Sequence, residues 1–177
     1  SMSLAGLYEY TFRNFYINLS QMKNFIGTYE CKIDDKGRVK LPSSLVKQME
    51  DFGGDSFVVK RSVFQSCLEV YPLKGWEKLM EKINKLNRFQ KKNADFIRQF
   101  TAGLKLVEPD NAGRLQISKD LTLFASLTKE IVITSAGELF EIWDKDTYES
   151  VINTSEEDFS KLAEEVMGNF DDESSSE

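Results

Sequence analysis

The stretch Tyr29-Glu30-Cys31-Lys32-Ile33 alternates apolar and polar positions, the period of a strand with one buried face. Asp34-Asp35-Lys36-Gly37 follows as a predicted turn, because Asp and Gly tolerate the left-handed conformations of short hairpin connections. Val39-Lys40-Leu41 reads as the return strand. Pro42-Ser43-Ser44 opens a predicted helix, with a serine at the N-cap and Leu45, Val46 and Met49 along one face. Phe52-Gly53-Gly54-Asp55 ends it, and Phe57-Val58-Val59-Lys60 and Cys67-Leu68-Glu69-Val70-Tyr71 read as two further strands. Trp76, Leu79, Met80, Ile83 and Leu86 recur at helical spacing. A second amphipathic stretch runs from about Phe89 to Phe100.

The same order then returns. The segment from Gly103 to Glu108 leads into a turn, Asp110-Asn111-Ala112-Gly113, and Leu115-Gln116-Ile117 is the return strand. Ser118-Lys119-Asp120-Leu121 opens a short helix, and 130–134 and 139–143 read as strands. A closing helix starts near Asp146, with Tyr148, Val151 and Ile152 on its apolar side. Asp34 and Arg38 recur 76 positions later as Asp110 and Arg114, and Leu68-Glu69-Val70-Tyr71 answers Phe140-Glu141-Ile142-Trp143. An internal repeat fixes the architecture. A lone hairpin is marginal in water, so the two units are expected to pack together as one pseudo-twofold body.

Charge alters this picture at one end only. The net charge is −6, but residues 156–177 hold nine acids and one lysine, a balance of −8. The rest of the chain is therefore +2, and total charge does not argue against nucleic acid as a partner. The end, and above all Asp171–Glu177, reads as a solvated, mobile tail. Residues 1–21 form an aromatic extension without the basic start or cleavage site of a secretory signal, and Met22 reads as an alternative start. Cys31 and Cys67 read as small core residues of a reducing cytoplasm, and no apolar run approaches the length of a membrane span.

The chain has no histidine, so Cys/His zinc sites and the usual imidazole base are excluded. No phosphate-cradling glycine loop or nucleophile elbow is present, and carboxylate pairs such as Asp34/Asp35 with Asp110 occur in any acidic chain. No catalysis, cofactor, metal or small-molecule substrate is expected. The turns carry the candidate chemistry. Gly37 and Gly113 read first as serving turn geometry, and Gly37 also brings the backbone close to a partner; Arg38 and Arg114 each present a guanidinium fork suited to guanine O6 and N7. Lys36 and Lys40 suit phosphate. The same arginines equally read as structural salt bridges to Asp34 and Asp110. The run Lys82, Lys85, Arg88, Lys91, Lys92 reads as a solvated helix face that could add attraction to DNA.

The ordered set Asp35-Lys36-Gly37-Arg38 with Pro42, Cys67 to Leu73 with Trp76-Glu77, Ala112-Gly113-Arg114-Leu115, Leu127 to Glu130 and Phe140 to Asp144 resembles the MraZ family of bacterial transcriptional regulators. The resemblance covers roughly Met22 to Ile152. It implies an α+β fold: a tandem pseudo-twofold pair of AbrB-like β-hairpin/helix units forming one mixed β-barrel-like body with flanking helices. The implied divisions are an extension (1–21), a first unit with connecting helices (22–101), a second unit (102–155) and the acidic tail (156–177). It further implies a cytoplasmic, nucleoid-associated, ring-shaped homo-oligomer. Such a ring binds short G-containing direct repeats in duplex DNA, upstream of its own cell-division and cell-wall operon. It places DNA contact on Lys36 and Arg38, with Ala112 and Arg114 at the matching positions of the second copy; together with the reading of the turn residues above, the expected DNA-binding set is Lys36, Gly37, Arg38, Lys40, Gly113 and Arg114. Ala112 stands where the first turn has Lys36, which weakens phosphate contact there, and Ser118 stands where it has Pro42. The alternative is a non-catalytic oligomeric adaptor that does not bind DNA.

Overall fold

In the computed structural model, residues 24–52 and 54–168 are described. The aromatic segment within 1–21, Gly53 and the acidic end 171–177 lie outside them. The first copy runs β1 (Thr28–Lys32), β2 (Arg38–Lys40), α1 (Ser43–Asp51), β3 (Phe57–Arg61), β4 (Leu68–Pro72), α2 (Leu73–Ile83) and α3 (Lys91–Phe100). The second runs β5 (Lys105–Val107), β6 (Arg114–Gln116), α4 (Lys119–Phe124), β7 (Glu130–Ala136), β8 (Leu139–Asp144), α5 (Lys145–Ile152) and α6 (Glu156–Met167). The chain divides into two compact units, Ser1–Lys145 and Asp146–Glu177.

The turn at Asp34 closes locally, with Gly37 N donating to Asp34 O at 3.0 Å and Asp34 N to Arg38 O at 2.9 Å. The strands beside it then part. Only an Ile33–Val39 bridge joins them, while β1 pairs with β7 and β2 with β6. The expected local hairpin is thus replaced by exchange between the copies. Residue pairs in short strands contribute little each, so a register that buries more apolar surface wins.

Six strands form one sheet in the order β1-β7-β8-β4-β3-β5, and β2 and β6 form a separate ribbon. Exchanging β1 with β5, β3 with β7 and β4 with β8 gives the same order reversed, the signature of a pseudo-twofold axis. The axis passes through two self-equivalent pairs, Val39↔Leu115 and Glu69↔Glu141. A twofold perpendicular to a sheet inverts strand direction, and every pairing is antiparallel, not mixed as expected. The order ends at β1 and β5, which no described pairing joins, so strand pairing does not supply the expected barrel closure.

Val39, Leu115, Leu41 and Ile117 pack from the ribbon side onto Val59, Leu68, Val70, Ile131, Ile133, Phe140 and Ile142 of the sheet. Leu45 and Met49 of α1 and Leu121 of α4 complete this core. Beyond β3 and β4, Trp76 of α2 stacks on Phe100 of α3 with centroids 5.8 Å apart, and Tyr71 meets Trp76 edge-on. Phe89, expected at the head of the third helix, is fully exposed ahead of it.

Two expectations change. Pro42, not a serine, occupies the N-cap of α1, and Ser118 caps α4 without a side-chain hydrogen bond. The fixed φ of proline sets the helix entry that a hydroxyl was expected to set. Residues 156–167, read as tail, form α6. Ser155 accepts from Asp158 N at 3.1 Å, and Glu156, Glu157 and Asp158 in the first turn oppose the positive end of the helix dipole. Among the described residues no helix is long and apolar enough to cross a membrane.

Candidate nucleic-acid interface

The β2–β6 ribbon pairs Arg38↔Gln116, Val39↔Leu115 and Lys40↔Arg114. Alternation sends Val39 and Leu115 inward, where both are fully buried. Arg38, Lys40, Arg114 and Gln116 therefore share the outer face. An antiparallel ribbon puts the two turns at opposite ends, the first at Arg38/Gln116 and the second at Lys40/Arg114. A two-stranded ribbon is one of the shapes the major groove of B-DNA admits.

Each turn is built on an aspartate. Asp34 accepts from Lys36 N and Arg38 N, both at 2.9 Å, and from Arg38 Nε at 2.7 Å. Asp110 accepts from Ala112 N and Arg114 N at 2.9 Å and from Arg114 Nε at 2.8 Å. The arginine backbone N–H, and then its guanidinium, hold each carboxyl below its ordinary value. These carboxylates each accept three hydrogen bonds from turn and arginine, an arrangement that fixes geometry. Of the two readings of each arginine, the structure shows the salt bridge to Asp34 or Asp110. Nε is spent on the salt bridge, while the Nη groups of Arg38 and Arg114 meet no described residue. Aspartate orients the guanidinium and leaves its terminal fork for a partner.

The turns also lean on the opposite copy. Ile117 N donates to Gly37 O at 2.7 Å and Leu41 N to Gly113 O at 3.0 Å. Both glycines are left-handed, with φ of 76° and 71°. Gln116 Nε2 donates to Lys36 O at 2.6 Å, and on the other end Lys40 Nζ donates to Ala112 O. Lys40, expected on phosphate, thus supports the second turn. Gln116 was missed as a site residue, although its spacing from Arg114 puts it on the same face.

A second polar cluster lies on the far face of the sheet. Lys60 is wholly buried, bonds Glu69 and Arg61 O, and sits 4.5 Å from the Phe100 ring centroid. Glu141 accepts from Trp143 Nε1 at 3.4 Å and Cys67 Sγ at 3.6 Å. Burial raises Glu141, and burial with the neighbouring Glu141 pushes the Cys67 thiol up to about 12. Both cysteines are free, Cys67 buried and Cys31 partly so. Among the described residues no group of three or more acidic or sulfur ligands is placed to hold a metal.

The sequence matches a family described as "MraZ protein, putative antitoxin-like" twice, over residues 24–99 and 100–170. The chain belongs to the MraZ family. A Flavobacterium psychrophilum protein named transcriptional regulator MraZ is 59% identical over 152 residues, 86% of this chain and 97% of the relative. A Christiangramia forsetii protein of the same name is 59% identical over 150 residues, covering 85% and 97%. One from Pediococcus pentosaceus is 36% identical over 143 residues, covering 81% and 96%. In this MraZ-family chain the two family matches fall on the two copies that exchange strands. Lys36, Gly37, Arg38, Lys40, Gly113 and Arg114 all lie on one ribbon and its end turns.

Proposed function

We propose that this chain is a sequence-specific DNA-binding transcriptional regulator without catalysis, reading duplex DNA with the outer face of its ribbon. The observation that carries the reading is the pair of arginines whose Nε is held by aspartate and whose Nη groups are uncommitted. Each such fork on guanine contributes roughly 1–3 kcal/mol of discrimination. The relatives' printed name, transcriptional regulator, supports the same conclusion. Within it, Lys36 contacts phosphate, Arg38 and Arg114 read bases, Gly37 and Gly113 allow close approach, and Lys40 works from the ribbon face.

The finer reading is what the resemblance to the family implies: a homo-oligomeric ring engaging short, G-containing direct repeats upstream of its own cell-division and cell-wall operon. Avidity supports it, because one ribbon buries little surface and several ribbons on one ring would raise a weak contact to useful affinity. The exposed apolar residues Phe159, Leu162 and Val166 of α6 supply surface suited to assembly. The working units are 22–101 and 102–155, in the cytoplasm and associated with the nucleoid.

The test is a gel-shift titration on the duplex directly upstream of the chain's own coding sequence, against a scrambled duplex. Arg38→Ala should lose the preference for the native duplex by about 5- to 150-fold with the oligomer unchanged by light scattering. Unchanged binding would favour the adaptor reading instead.

A further inference from the structure

We infer that Lys119 and Lys129 form a binding site for the phosphodiester backbone beside the first turn, with no equal beside the second. The inference rests on the DNA reading above and adds a contact surface to it. A surface groove of about 880 Å³ lies between the first turn and α4 of the opposite copy. Lys36, Lys119 and Lys129 line it, all three exposed, and their ammonium groups meet no described residue. Of the two carboxylates in that lining, Asp34 is held by Arg38, which leaves Asp35 to oppose three cations.

The pseudo-twofold axis provides the comparison. A groove of about 820 Å³ lies beside the second turn, against α1. There Ser43 takes the place of Lys119, Glu50 adds a carboxylate, and Lys40 Nζ is already bonded to Ala112 O. Lys47 alone remains uncommitted among its cations. The two grooves, nearly equal in size, thus differ in their lysines: three with unbonded ammonium groups beside the first turn, against Lys47 and a Lys40 that spends one donor on Ala112 O beside the second.

The placement fits a duplex. A three-residue ribbon spans about 10 Å, while the major groove is about 12 Å wide between walls of phosphate. Surfaces at the ribbon ends therefore meet the backbone, where a compact ammonium serves better than an oriented fork. Unequal ends also break the equivalence of the two orientations in which a pseudo-symmetric ribbon can lie, so the chain sits on DNA in a preferred direction.

The experiment measures affinity across a salt series by fluorescence anisotropy, using the upstream duplex and a scrambled duplex of equal length. In the double variant Lys119→Gln/Lys129→Gln, the slope of log affinity on log salt should fall by about 2. The ratio of native to scrambled affinity should hold, because phosphate contacts carry no base information. Lys47→Gln should leave the slope nearly unchanged, and Ser43→Lys should raise it by about 1. A double variant with wild-type slope, while Arg38→Ala still loses sequence preference, overturns this inference and leaves the regulator reading standing. A loss of slope in Lys47→Gln equal to that of the double variant overturns the asymmetry. Failure of the unaltered chain to bind either duplex overturns both.

Discussion

Glu69 and Glu141 stand directly opposite one another as the central pair of β4 and β8. They are counterparts in the two copies, so the axis sets a glutamate against its own equivalent. Like charges in register destabilise a sheet. The neighbouring strands break the symmetry. Lys60 stands opposite Glu69, whereas its counterpart Thr134 stands opposite Glu141. One glutamate gains an ammonium, and the other is left to Trp143 and Cys67.

That imbalance sets a pH dependence. Burial, with Glu69 nearby, raises Glu141 above its ordinary 4.5. The folded chain then keeps this proton to higher pH than the unfolded chain does. Its stabilisation is full below 4.5 and is lost as pH rises through the folded pKa. Glu141→Gln should abolish the loss while keeping an acceptor for Trp143. Melting curves should show the variant gaining on the unaltered chain as pH rises toward about 8. A variant that falls further behind as pH rises contradicts the assignment.

The two turn glycines should not respond alike to alanine. Both are left-handed, which costs an L residue about 1–2 kcal/mol. A Cβ on Gly113 meets only Lys40 Nζ at 3.4 Å, but one on Gly37 lies 2.6 Å from the carbonyl oxygen of Ile117. Gly113→Ala should lose about 1 kcal/mol in denaturant titration and Gly37→Ala clearly more. Equal losses would count against the tighter packing of the first turn.

Gln116 and Lys36 act on the same turn by different physics. Gln116→Leu removes the hydrogen bond to Lys36 O and no charge. DNA affinity should drop with the salt slope preserved. Lys36→Gln should lower that slope by about 1. If Gln116→Leu flattens the slope instead, Gln116 does more than hold the turn.

The segment 156–177 carries −8 and falls within the second compact unit. Its deletion should leave the melting of the larger unit intact and strengthen binding to scrambled DNA, most at low salt. Weaker binding after deletion would show that the acidic segment helps rather than opposes DNA.

The sequence by itself determined the repeat, the turns and the strand faces. Asp34 to Arg38 and Asp110 to Arg114 bond within five residues, and alternation alone separates Val39 from Arg38 and Lys40. Such features are local, so the residue types suffice to write them. The tertiary structure decided which strands pair, that Lys40 and Gln116 each support the other copy's turn, and that Glu69 faces Glu141. It also decided that, of the two grooves beside the turns, the first holds three lysines with unbonded ammonium groups. Those relations join residues far apart in the chain, where a short local pattern carries no distance information and only burial of the shared core selects the register.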